Sequence, residues 1–172
     1  MHQINRRFSF YLGKAKYIMR RKEKEVTEAA AIEAIIKSSV VCRLGIIDGD
    51  KPYIVPMCFG YHDRNIYLHS SLKGKKIELI QKNKNVCFEF DINSETVKAD
   101  SPCKWGMKYQ SVTGFGKAVF IEDPVEKKKA LSIIMNQYSH GSFHFPDTNL
   151  SGTAIIMIEI ESMRGKQSGF RM

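Results

Sequence analysis

Residues 51–83, KPYIVPMCFGYHDRNIYLHSSLKGKKIELIQKN, decide how this chain folds. Residues 53–61 and 65–70 are dense in β-branched and aromatic side chains, and the His62-Asp63-Arg64-Asn65 step between them is turn-forming, so the stretch reads as strand, tight turn, strand. It runs on through Ser70-Ser71-Leu72-Lys73-Gly74-Lys75-Lys76 into Ile77, Leu79 and Ile80, a hydrophilic loop that opens a helix. Hydroxyls, a permissive glycine and three ammonium groups there join the free N–H groups and the positive dipole end of the helix, which is a recipe for holding a phosphate. The same residues also read as a solvated turn, so the motif alone assigns nothing.

Outward from this stretch the pattern continues. Thr27 is placed to cap a helix running to about Lys37, with Ile32, Ile35 and Ile36 as its buried stripe. Residues 40–47 read as the first strand, closed by the turn Asp48-Gly49-Asp50-Lys51-Pro52. Pro56 lies inside the second strand; proline cannot donate to a ladder, so it marks an edge, a bulge or a place where a ligand meets the sheet. Residues 86–92 alternate as a fourth strand, residues 93–106 are loop-like, and residues 109–121 form a long fifth strand. Asp123-Pro124-Val125-Glu126 is a helix start, with Asp as N-cap, and Leu131, Ile134, Met135 and Tyr138 point inward from that helix. An irregular loop over 139–152 leads to a last strand at 153–161. The expected fold is mainly β (α+β): about six strands, three helices, the first three strands an antiparallel meander, and the whole a small barrel with flanking helices.

Length and composition bound the function classes. A chain of 172 residues with 43% hydrophobic content can bury a sizeable core. No apolar run approaches membrane-spanning length, and the short FSFYLG near the start lacks a following small-residue cleavage site, so neither a membrane association nor a secretory signal is expected. Cys42, Cys58, Cys87 and Cys103 form no CxxC pair, and a reducing cytoplasm is the expected compartment. The net charge of +9 is concentrated: residues 1–25 hold eight basic side chains against two acidic ones, the remainder 19 against 16. The basicity is therefore an arm over residues 1–19, ahead of one domain over residues 20–172. Cations and aromatics alternate in it, which would suit a phosphate backbone or an anionic surface, but a solubilising extension is the simpler reading, and nucleic acid is not an expected partner. Met19 could serve as an alternative start.

Other constellations carry little. His140 and His144 have the spacing of a helical metal pair, yet Gly141 and Pro146 argue against a helix there, so no metal site is expected. Trp105 could equally cap a ligand cleft or close the end of the barrel, Cys103 has no local base, and there is no GxSxG elbow.

Three segments in order, VCRLGIIDGDKPYIVPMCFGY (41–61), IYLHSSLKGKKIELIQKNKNVCFEFD (66–91) and CKWGMKYQSVTGFGKAVFIEDPVEKKKAL (103–131), resemble the nitroimidazole-resistance-related proteins, members of the flavin-binding split barrels similar to pyridoxamine 5′-phosphate oxidase. The resemblance covers residues 20–168 and leaves the arm aside. It implies a six-stranded antiparallel split β-barrel that forms a homodimer, with FMN in clefts at the interface. By that resemblance the flavin ring lies near Val55, Pro56, Met57 and Cys58, the phosphate near Ser70, Lys75 and Lys76, and Ser111 and Val112 border the flavin. His69 ends the third strand at the step where the family carries a histidine close to the cofactor; it either donates a proton to substrate or orders the loop. The implied activity is flavin-dependent reduction of nitroimidazoles or other nitroaromatics. A flavin carrier or sensor is the alternative, and a basic nucleic-acid-binding barrel a more distant one.

Overall fold

The computed structural model describes residues 19–170; the arm that the sequence sets apart lies, apart from Met19, outside the described residues. The elements in chain order are β1 (Glu25–Val26), α1 (Ala29–Ser38), β2 (Cys42–Asp48), β3 (Lys51–Met57), β4 (Phe59–His62), β5 (Asn65–Ser71), α2 (Lys75–Lys82), β6 (Asn85–Val97), β7 (Gly106–Ile121), α3 (Pro124–Tyr138), α4 (Asp147–Ser151) and β8 (Thr153–Ser168). Short 3-10 turns at Lys22–Lys24 and Pro102–Lys104 complete the list. No helix of the described residues is long and apolar enough to cross a membrane.

The sheet is mainly antiparallel, with strand order β3-β2-β6-β7-β8-β5-β4 and β1 paired to β8. Among the described residues eight strands stand where the sequence suggested six. One extra is the two-residue β1. The other arises because the expected second strand breaks at Cys58 into β3 and β4, which occupy opposite ends of the strand order. A single residue therefore joins the two ends of the sheet, the connectivity of a split barrel. The strands also run longer than their hydrophobic cores suggested: β6 continues to Val97 past Asn93, whose φ of 57° marks a local irregularity, and β8 continues to Ser168.

Turn chemistry sets the register of both hairpins. Gly49 has a φ of 63° and precedes Asp50, the arrangement of a II′ turn that pairs Asp48 with Lys51. Asp63 and Arg64, at φ 45° and 63°, form the I′ turn that pairs His62 with Asn65. A two-residue turn closes on a hydrogen-bonded pair, and such pairs alternate along the ladder. Pro52, Ile54 and Pro56 of β3 thus fall at positions that turn their backbone groups to the open edge. Both prolines sit where no ladder N–H is required, which satisfies the edge reading of Pro56. The same parity turns Met57 toward Cys42, so among the described residues the backbone groups facing the open edge are the Ile54 N–H and the carbonyls of residues 52, 54 and 56.

The chain falls into two compact units. In the first, made of residues 19–39, Glu89–Gly114 and 162–170, α1 buries Ile32, Ile35 and Ile36, and Val112 and Met163 are buried with them. The expected cap at Thr27 is not used; Glu28 takes the N-cap position and no side chain caps the helix. In the second unit, Val40–Phe88 and Phe115–Glu161, the fully buried side chains include Leu44, Phe59, Ile66, Leu68, Ile80, Phe88 and Ile155; each such group stabilises the fold by roughly 1.5–3 kcal/mol. Here the expected cap holds, because Asp123 Oδ1 accepts the N–H groups of Val125 and Glu126, each at 2.9 Å. The helix it starts, α3, packs so closely on β4 that a Cβ on Gly60 would lie 2.6 Å from the Ile133 carbonyl carbon, which explains the glycine. Of its expected inward residues, Ile134 is buried and Leu131 and Met135 half-buried, but Tyr138 is 42% exposed, since its hydroxyl is held at the strand break described below.

Candidate functional site

The start of α2 is built as the sequence suggested. Strand β5 points Ile66 and Leu68 into the core, which leaves His69 exposed on the opposite face and Ser70 half-buried on the inner parity. Ser71 Oγ then donates to the Lys73 carbonyl at 2.7 Å and tightens the loop. Gly74 takes the N-cap position with a φ of 124°, a conformation costly to residues carrying a Cβ, and no side chain caps the helix. The Glu78 N–H already bonds the Gly74 carbonyl at 3.1 Å, so the N–H groups of Lys75, Lys76 and Ile77 form the open helix end.

The two lysines expected to act together have different surroundings. Lys75 Nζ is 2.6 Å from Asp48 Oδ2 and 5.0 Å from the centre of the Tyr53 ring. The hydrogen bond to Asp48 raises its pKa, and its charge is matched in place. Lys76 instead reaches inward to Met57, with Nζ 3.1 Å from the thioether sulfur. It has no carboxylate partner among the described residues, and burial lowers its pKa. A half-buried ammonium without a counter-charge, beside open helix N–H groups, is suited to an anion.

The Lys76–Met57 contact also brings the two halves of the expected site together, since Val55–Cys58 and the helix start then meet through one side chain. Val55 is half-buried, Pro56 and Cys58 exposed, and Met57 buried. His69 makes no side-chain hydrogen bond to the loop among the described residues.

Ser111 and Val112 belong to the first unit. Val112 is fully buried in its core, while Ser111, half-buried, lies on the other face of β7. Beside them Asn93 Nδ2 donates to Gln110 Oε1 at 3.0 Å, and Lys166 Nζ lies 5.9 Å from the Tyr109 ring centre. Trp105 is pinned within its own loop, its indole N–H donating to the Ala99 carbonyl at 2.8 Å. His140 and His144 lie in non-helical chain.

Sequence reasoning missed Asp48 and Tyr53 as partners of Lys75, and it placed Tyr138 in the helical stripe without its hydroxyl bonds to Phe59 and Val40. Asp48 reads locally as a turn residue, and alternation places Tyr53 on the face shared by Val55 and Met57. Nothing local signals the Tyr138 bonds.

The chain matches the model of the pyridoxamine 5′-phosphate oxidase family over residues 28–167, and it belongs to that family. A candidate 5-nitroimidazole antibiotic resistance protein from Bacteroides thetaiotaomicron is 37% identical, with a TM-score of 0.75 over 83% of this chain and 85% of that one. Two more distant structures share the fold. One is a flavocytochrome from Azotobacter vinelandii, 18% identical, TM-score 0.79, covering 90% of this chain and 73% of that one. The other is a FAD-binding protein from Mesorhizobium loti, 23% identical, TM-score 0.59, covering 83% and 96%. No curated protein matches the chain.

The burial of Lys76 has a measurable consequence in the ligand-free protein. A folded-state pKa below the unfolded value means that the unfolded chain binds more protons in the window below the ordinary lysine value of 10.5, so stability contributed through this group rises with pH across that window. Lys76→Met removes the group. At neutral pH the variant is expected to be as stable as the parent or slightly more so, and the difference should shrink as pH rises toward the ordinary lysine value. Urea unfolding at several pH values reads this; a marked loss of stability at neutral pH would mean that the ammonium has a stabilising partner.

Proposed function

We propose that the protein binds FMN and acts as a flavin-dependent oxidoreductase on nitroimidazoles or related nitroaromatics. The observation that carries the cofactor reading is the Lys76 ammonium, half-buried without a carboxylate partner among the described residues, beside the uncapped start of α2. One open helix end with one uncompensated cation fits one phosphate monoester, which favours FMN. The nitro substrate is supported by the Bacteroides relative at 37% identity.

In this reading Lys76, Ser70 and the first N–H groups of α2 hold the phosphate, and Lys75, tied to Asp48, fixes the helix start against the β2–β3 hairpin. Val55–Cys58 lie along the ring, whose neighbours include the open Ile54 N–H and the carbonyls of the β3 edge. The resemblance also implies Ser111 and Val112 beside the flavin. When bound, FMN would carry electrons from an external reductant to the nitro group. His69, exposed and with no side-chain bond to the loop among the described residues, is the residue assigned to deliver a proton to substrate.

A homodimer belongs to the same proposal. The outer face of the β2–β3 hairpin exposes Ile47, Pro52, Ile54 and Pro56, with Ile54 at 65% exposure, and such a face suits a twofold contact that completes the flavin clefts. The cytoplasm is the compartment in which four free cysteines fit.

Two measurements test these assignments. His69→Ala should keep its bound flavin and lose at least tenfold in nitroimidazole turnover per flavin; lost flavin would make His69 an ordering residue, and unchanged turnover would remove it from the site. Light scattering at micromolar concentration should give about twice the 19.7 kDa chain mass, whereas a monomer that retains tight FMN binding would contradict the dimer.

A further inference from the structure

The break at Cys58 leaves backbone groups without a strand. By the parity of the His62–Asn65 hairpin, Phe59 on β4 turns its N–H away from β5, toward the outer edge where the strand order ends. That N–H donates to Tyr138 Oη at 2.9 Å, and the same hydroxyl donates to the Val40 carbonyl at 3.1 Å, just before β2 begins. The Tyr138 ring stands edge-on to Phe59, centroids 6.4 Å apart and planes at 80°. One phenol, delivered by the last turn of α3, thereby ties the start of β4 to the approach to β2 on either side of Met57 and Cys58. Burial holds its pKa above the usual tyrosine value, with the Cys58 thiol alongside as a lesser cause, so it stays a protonated donor through the physiological range.

We infer that Tyr138 is a positioning residue for the ring of the bound flavin: its hydroxyl fixes the backbone of Val55–Cys58 by clamping the break that follows it. This rests on the flavin reading above and extends it to a residue outside the cradle. The phosphate end, at Lys76 and the start of α2, draws on none of Tyr138's hydrogen bonds. Loss of the hydroxyl should therefore be felt by the ring and not by the phosphate, which separates this role from that of Lys76.

Tyr138→Phe keeps the edge-on packing and removes both hydrogen bonds. Fluorescence titrations with riboflavin and with FMN are expected to weaken by the same factor, roughly fivefold to tenfold, and the visible absorption maximum of riboflavin bound at saturation should shift. A merely structural tyrosine would lower the melting temperature while leaving both affinities and the saturated spectrum as they were, and that result overturns the inference. Selective loss of FMN with riboflavin retained overturns it too, since it would place the effect at the phosphate. If the parent protein binds neither flavin, the flavin reading itself fails and takes this one with it. Should the variant not fold, hydrogen exchange on the parent protein decides: riboflavin should slow exchange of the Phe59 amide, and an unchanged rate overturns the clamp.

Discussion

Everything in the second unit depends on one constraint, the termination of β3 at Met57 and the start of β4 two residues later at Phe59, at the other end of the sheet order. A strand that switched ends without a break would leave one side of its ladder without partners. Here the prolines at 52 and 56 fall where no N–H is required, the Phe59 N–H goes to Tyr138, and Gly60 lets α3 close over β4. The result is an edge that resists extension by a further strand while keeping a few backbone groups accessible.

The charge at the helix start follows from the same arrangement. Because β3 ends with Met57 directed inward, its thioether meets the Lys76 ammonium. A thioether is a weak acceptor and compensates no charge. Lys75, one residue earlier on α2, points the other way and finds Asp48 on the β2–β3 turn. Two adjacent lysines thus divide into one that secures the hairpin and one left for an anion, and only the tertiary structure separates them.

The sequence made much of this readable because the decisive signals are local. Alternation in residues 65–70 placed Ile66 and Leu68 inward and His69 outward, turn residues at 48–51 and 62–65 fixed two hairpins, and Asp123-Pro124 marked the start of α3. What escaped was long-range or a matter of continuity. The break at Cys58 has no turn residue to announce it, and the extension of β6 past residue 92 runs through polar side chains that read as loop. Tyr138 followed the helical stripe on paper; its bonds to Phe59 and Val40 join residues 79 and 98 positions away. The helix start was legible as a phosphate recipe, but which lysine would remain uncompensated was not, since Asp48 and Met57 act through the fold.

The central claim is that Lys76 and the open end of α2 hold the phosphate of a flavin. Its most direct test is the affinity of the parent protein and of Lys76→Met for FMN and for riboflavin, which differ at the phosphate, measured in the same buffer. The account predicts that the parent prefers FMN and that the substitution weakens FMN by tenfold or more while leaving riboflavin within about twofold, as expected for loss of a charge-assisted contact. Equal affinity of the parent for both flavins, or equal loss of both in the variant, would contradict it.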